Sequence, residues 1–121
     1  MTNEQRQNII EDFIQYCKDR LDIDQLHIIQ FTNEREWATE RKSFGQYNPN
    51  DRSLEIYTGN RNLADTLRTL VHELVHHKQY EEGRLKTPPP DIGGEIEDEA
   101  NAKAGQYIKM YAKKDETIYE E

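Results

Sequence analysis

His72-Glu73-Leu74-Val75-His76 sets two imidazoles four residues apart, with a carboxylate directly after the first. On a helix, such residues leave the same face about one turn apart, close enough for both imidazoles to share one metal ion. Glu73 then stands beside the pair, where a water on the metal would sit, and has the chemistry of its general base. A hydrolytic zinc site takes three protein ligands and keeps one position for water, so a third donor must come from elsewhere in the chain.

The extension H-E-x-x-H-x-x-G-x-x-H would supply that donor locally, but Gln79 stands at its glycine position and Glu82 at its third histidine position. Without a glycine to break the rod, Glu82 lies further along the same helix and does not curl back. The stronger candidate is Glu97. After residue 94, the positions Ile96, Ala100, Ala104, Tyr107, Ile108 and Tyr111 form one continuous apolar stripe. At helical spacing Glu97 projects within that stripe, while Glu95, Asp98 and Glu99 point toward solvent. A carboxylate on an inward face is costly unless it is paired or bound to a cation. Ala100 and Ala104 are small enough to let this helix approach the first closely. Glu95 and Glu99 stay open as alternative third ligands, and a buried salt bridge to Lys103 or an arginine is the other reading of Glu97.

The elements that must position these groups are legible in the spacing. Residues 3 to 21 read as an amphipathic helix with a capping box at Thr2 and Gln5 and an apolar stripe of Ile9, Ile10, Phe13, Ile14, Cys17 and Leu21. Leu26 to Phe31 is a β-branched run that predicts a strand, with His27 as a packed or exposed strand residue. Residues 33 to 42 predict a helical turn or a loop, with Trp37 as a core plug. Ser43–Tyr47 and Ser53–Tyr57 flank the turn formers Asn48-Pro49-Asn50-Asp51 and predict a hairpin. Thr58-Gly59-Asn60 supplies caps for a helix over about 62–82 that ends before Gly83. On that helix Leu63, Leu67, Leu70, Val71, Leu74 and Val75 face one way, and Thr69, His72, Glu73, His76 and Tyr80 the other. Thr87-Pro88-Pro89-Pro90 is a stiff connector, and Asp91 with Gly93-Gly94 marks the start of a last helix, about 94–113. Helix, strand, hairpin, helix, helix is an α+β pattern.

At 121 residues the chain is one domain with a single modest core. Its 34% hydrophobic and 33% charged content marks a highly soluble protein, and no apolar run is long enough to span a membrane. The polar N-terminus carries no apolar signal segment, so cytoplasmic residence is expected. The net charge of −8, from 16 basic and 24 acidic residues, argues against a nucleic-acid partner. Arg20, Arg35, Arg41, Lys42 and Arg52 are dispersed among acids rather than striped. The acidic excess gathers toward the C-terminus, where residues 114–121 read as a frayed tail. Cys17 is the single cysteine, which excludes an internal disulfide and a thiolate-based structural zinc site. Its place on the apolar stripe makes it a core residue rather than a nucleophile.

His72-Glu73-Leu74-Val75-His76 followed by Glu97-Asp98-Glu99-Ala100-Asn101 resembles the H-E-x-x-H … E-x-x-A-N arrangement of gluzincin-type metallopeptidases. The chain is most similar to minimal single-domain zincin-like proteins, among them the ImmA/IrrE-like peptidases and short phage-encoded peptidase-like proteins, over roughly residues 43 to 112. The resemblance implies a minimal zincin-like fold: an N-terminal helix, a small antiparallel sheet, the H-E-x-x-H helix and a C-terminal ligand helix. It implies Zn2+ held by His72, His76 and Glu97, with Glu73 as catalytic base, and a protein or peptide substrate laid along a sheet edge. That edge would come from the strand around Leu54–Tyr57 or its partner around Phe44–Tyr47. The chain departs from the ImmA/IrrE pattern at Lys103, where an aromatic usually follows the Ala-Asn pair. Tyr80, Tyr107, Tyr111 and His77 are the local options for stabilising the oxyanion. The rival readings are a catalytically silent metal-binding interaction protein with the same fold and a structural protein with an accidental motif. A peptide deformylase, which needs an upstream cysteine ligand, is disfavoured by the place of Cys17.

Overall fold

Thr2 opens the first helix as its sequence context predicts. Its hydroxyl accepts the Gln5 backbone N–H at 3.1 Å, and the Gln5 side chain accepts the Thr2 N–H at 2.8 Å, closing a reciprocal capping box. The computed structural model describes residues 1–23, 26, 28–85 and 94–120. It runs α1 (Asn3–Leu21), β1 (Ile28–Thr32), α2 (Arg35–Arg41), β2 (Gly45–Asn48), β3 (Ser53–Tyr57), α3 (Leu63–Glu81), α4 (Gly94–Lys114) and a 3-10 turn (Glu116–Tyr119). The architecture is α+β. His27, the proline connector and the Asp91–Gly93 approach to α4 lie outside the described residues. Residues 35–41 resolve the choice left between a turn and a loop: they form a short helix with Trp37 buried.

The sheet corrects one expectation. Its strand order is β1-β3-β2, with β2 antiparallel to β3 but β1 parallel to it, so it is mixed rather than antiparallel. The tight turn at Asn48–Asp51 dictates only the direction of β2 against β3. After β1, the chain crosses through α2 to the far edge, and β3 then inserts between the two earlier strands. β3 is therefore paired on both sides, and β2 is the edge beside α3. Leu54 and Ile56 of β3 are fully buried, with Tyr47 and Gly45 as their β2 partners on the same face. The opposite face carries Glu55, whose carboxylate accepts the Trp37 indole N–H at 2.8 Å and docks α2 there.

α3 is the central helix. Leu63, Leu67, Leu70, Val71, Leu74 and Val75 are all buried, as their spacing predicts. Its N-cap is Asn62, whose side chain accepts the Asp65 N–H at 2.8 Å, and not the Thr58–Asn60 turn. α1 and α4 pack together through Phe13 and Tyr111, edge-to-face at 5.0 Å between centroids. The Tyr111 hydroxyl donates to Asp12 at 2.7 Å, and that bond with the Lys114 ammonium holds the Asp12 carboxyl below its usual range. Among the described residues no helix is long and apolar enough to cross a membrane.

The C-terminal segment also differs from expectation. Residues 116–119 form a 3-10 turn rather than a frayed end, because Ile118 is fully buried in the core and Asp115 caps the turn through the Thr117 N–H. One apolar anchor among acids suffices to hold it.

Gly45 determines how closely β2 lies on α3. A β-carbon at this position would fall 2.6 Å from Thr69 Cγ2 and 3.1 Å from Glu73 Cγ. Replacing Gly45 with Ala should therefore destabilise the fold by about 1–3 kcal/mol. The added Thr69→Ser change removes the obstructing methyl and should recover most of that loss in denaturant melts; no recovery would mean Thr69 is not the obstacle.

Candidate metal centre

His72 and His76 leave α3 toward α4. Their rings meet edge-to-face, with Nε2 atoms 3.1 Å apart. Glu97 reaches between them from the first turns of α4, Oε1 lying 2.7 Å from His76 Nε2 and Oε2 3.2 Å from His72 Nε2. One donor atom from each of the three residues lies within 4.8 Å of the others. Two donors bound to a tetrahedral zinc at about 2.0–2.1 Å are roughly 3.3 Å apart, so the three already hold nearly the spacing one ion requires. Ala100 and Ala104, both buried, face α3 and permit this approach.

Gln79 gives the cluster its polarity. Its side chain is fully buried, and its Nε2 lies 3.0 Å from the Ile96 carbonyl and 2.9 Å from Glu99 Oε1. Both neighbours only accept, so the amide NH2 must face them and Oε1 must face His76 Nδ1, 2.8 Å away. Nδ1 then carries a proton, and in the neutral ring the Nε2 lone pair points at Glu97. A lone pair and a carboxylate oxygen in contact require a proton or a cation between them. Two imidazoles and one carboxylate are donors well suited to a divalent transition metal, and the residues fit such an ion. Glu99 is in turn gripped by both terminal nitrogens of Arg84 at 3.1 Å each, which with Gln79 holds its carboxyl below the usual range.

Glu73 lies on the same face of α3, 7% exposed and against Gly45. Burial, reinforced by the nearby Glu97 carboxylate, pushes its pKa up to about 8. Burial also lowers the pKa of His72, helped by His76 and opposed by Glu97 and by a hydrogen bond to the Asn101 side chain. The centre opens into a cleft of about 400 Å³, lined on the far side by Gly45, Gln46 and Tyr47 of β2 and by the end of α2.

The structure thus brings His72, His76, Glu97 and Glu73 together. It does not bring in the alternatives. Glu99 is engaged with Gln79 and Arg84, Glu82 is paired with Arg84 at 3.1 Å beyond the end of α3, and Glu95 is exposed. Cys17 is buried in the core on α1, where burial raises its thiol pKa, and it is no part of the cluster. The four residues considered for the oxyanion do not line the cleft. Tyr107 and Tyr111 pack on α1, Tyr80 packs against the Tyr47 ring, and His77 is fully buried between Tyr47 and Glu81. Gln79 was visible in the sequence only as a missing glycine, although its place three residues after His76 on one helix face signals a side-chain partner. Compared with protein-family models, curated proteins and solved structures, the chain matches none.

Two outcomes follow from these contacts. Gln79→Leu leaves the His76 N–H without its acceptor and removes one of the groups that hold Glu99, so affinity for a divalent transition metal, measured by chelator competition, should fall about 10–100-fold, the range typical of outer-shell changes. In chelator-treated protein, Glu73 retains a proton that the unfolded chain releases, so its contribution to stability is complete below the usual carboxylate range. It is lost as pH rises from about 4.5 toward about 8. The limiting slope is about 1.4 kcal/mol per pH unit. Glu73→Gln abolishes that slope. The difference between the two proteins isolates it from His72, whose lowered pKa acts with the opposite sign, and parallel stability curves would show that Glu73 is not protonated in the native state.

Proposed function

We propose that this chain is a zinc-dependent metallopeptidase of zincin-like fold, cleaving protein or peptide substrates. The observation that carries the reading is the convergence of His72, His76 and Glu97 with a buried Glu73 carboxyl, beside a sheet edge that has no further strand among the described residues. His72, His76 and Glu97 would hold the ion. Zinc so held supplies Lewis acidity, easing deprotonation of water near neutral pH and polarising the substrate carbonyl.

The remaining work belongs to the chain itself. Glu73 accepts the proton of the attacking water at its carboxylate and returns it to the departing amine. Its buried setting suits this role, since desolvation makes the carboxylate a stronger base than one in water. A cation on the triad opposes that rise and keeps the group ionised at neutral pH. β2, rather than the central β3, is the strand free to align an extended peptide by backbone pairing. Gly45 keeps that strand close to α3, so the aligned backbone passes beside Glu73.

Zinc analysis should give one ion per chain, lost on replacing His72, His76 or Glu97 by Ala. Glu73→Gln should keep the ion while hydrolysis of an unfolded protein substrate falls by roughly 10²–10⁴-fold, the usual contribution of a general base. Ion binding without hydrolysis in the wild type would favour the silent metal-binding reading, and hydrolysis unchanged in Glu73→Gln would remove Glu73 as base.

A further inference from the structure

The cleft carries a charge that the chain as a whole does not. At −8 the protein repels anions in general, yet the wall facing the metal centre ends in Arg41 and Lys42. Among the described residues, the carboxylates lining this cleft are Glu73 and Glu97, both committed to the centre itself. We infer that Arg41 and Lys42 form a subsite for a carboxylate of the substrate, either an Asp or Glu side chain or the chain's C-terminus; this rests on the peptidase reading of the adjoining centre.

Arg41 is built to hold its position. Its guanidinium stacks 4.6 Å above the Trp37 ring, Nε donates to Gln46 Oε1 at 3.1 Å, and Nη1 donates to the Trp37 carbonyl at 3.4 Å. Trp37 is itself anchored through Glu55. A guanidinium tethered on two sides loses little freedom when it binds an anion. Among the described residues its carboxylate neighbour is Glu40, 3.9 Å away and three-quarters exposed, a contact of little strength. The Nη2 nitrogen has no hydrogen-bond partner among the described residues.

Lys42 ends α2 in the left-handed conformation, φ 51°, with its N–H on the Ala38 carbonyl. That turn reverses the chain into β2 and sets the lysine against the same cleft. No carboxylate among the described residues pairs with it. Gln46, which tethers Arg41, is a residue of the edge strand, so a peptide laid along β2 passes the two cations. In a partly enclosed cleft, fixed cations outweigh the diffuse charge of the distant surface.

The single tryptophan sits under Arg41 and reports binding without turnover. Zinc-loaded Glu73→Gln protein is titrated with blocked octapeptides of Ala, Val and Thr carrying one Glu at each position in turn, alongside their Gln twins, with free or amidated C-termini. Trp37 emission should report a Kd roughly tenfold lower for the best Glu peptide than for its twin, the scale of one charge-assisted contact. The gap should narrow with salt and close in an added Arg41→Gln, Lys42→Asn pair, Asn being chosen because it tolerates the positive φ. A gain that follows the free C-terminus instead identifies the chain end as the carboxylate source. Equal affinities for both twins and both termini, or a gap that survives in the double variant, overturns the inference. A gap that closes as expected while the wild type cleaves none of the peptides leaves the anion subsite standing and counts against the peptidase.

Discussion

Glu97 Oε1 stands 2.7 Å from an imidazole nitrogen whose ring is oriented by Gln79, and neither atom tolerates the other without positive charge between them. That demand governs how α3 and α4 pack. Ala100 and Ala104 allow the close approach but cannot favour one rotation of α4 over another. The orientation comes from Gln79, which holds the Ile96 carbonyl and Glu99 of α4 with its amide nitrogen and His76 with its oxygen. One buried amide therefore joins helix packing to site geometry. Arg84, just past the end of α3, closes the clamp on Glu99 from outside.

The consecutive histidines show how α3 serves two neighbours at once. His76 turns to α4, while His77, one residue on, turns to the sheet, where its Nδ1 lies 2.8 Å from the Tyr47 hydroxyl. Its Nε2 faces Glu81 Oε1 at 3.3 Å. With a carboxylate on that side, the proton belongs on Nε2 and the tyrosine donates to Nδ1. Tyr47 and Gly45 lie on one face of β2, so one is hydrogen-bonded to α3 and the other lets the strand come close. The edge strand and the His72, His76 and Glu97 cluster are thus registered against the same two turns of helix.

Much of this was readable from residue spacing. Apolar periodicity placed α1, α3 and α4 nearly to the residue, since each has one buried stripe that only a helix produces. Glu97 stood out for the same reason, as a carboxylate among apolar neighbours. What spacing could not convey was direction and contact. The alternation in β1 is the same whether the strand runs with or against β3, and a turn signal speaks only for the two strands it joins. Gln79, Arg84 and Glu99 are ordinary surface-type residues whose role exists only once α4 lies across α3. Ile118 is a single apolar residue in an acidic stretch, too little pattern to overrule composition. Arg41 and Lys42 are one adjacent pair among basic residues otherwise dispersed among acids, and their meaning depends on α2 ending at the mouth of a cleft.

A chain of this size has one core, and the C-terminal half of its central helix fills much of it with Glu73, His76, His77 and Gln79. Each such group costs free energy when buried without partners, of the order of 1–3 kcal/mol. Gln79 meets that cost within the protein, through bonds to α4 and to His76, and His77 meets part of it through the Tyr47 hydroxyl. His76, Glu97 and Glu73 do so only in part, because their remaining demand is for positive charge. A cation at the triad would satisfy all three together, and it would bind only the folded chain, since unfolding separates Glu97 from the histidines. Folding and ion binding then reinforce one another. The polar centre weakens the bare protein, and a metal ion held there would relieve the same electrostatic deficit.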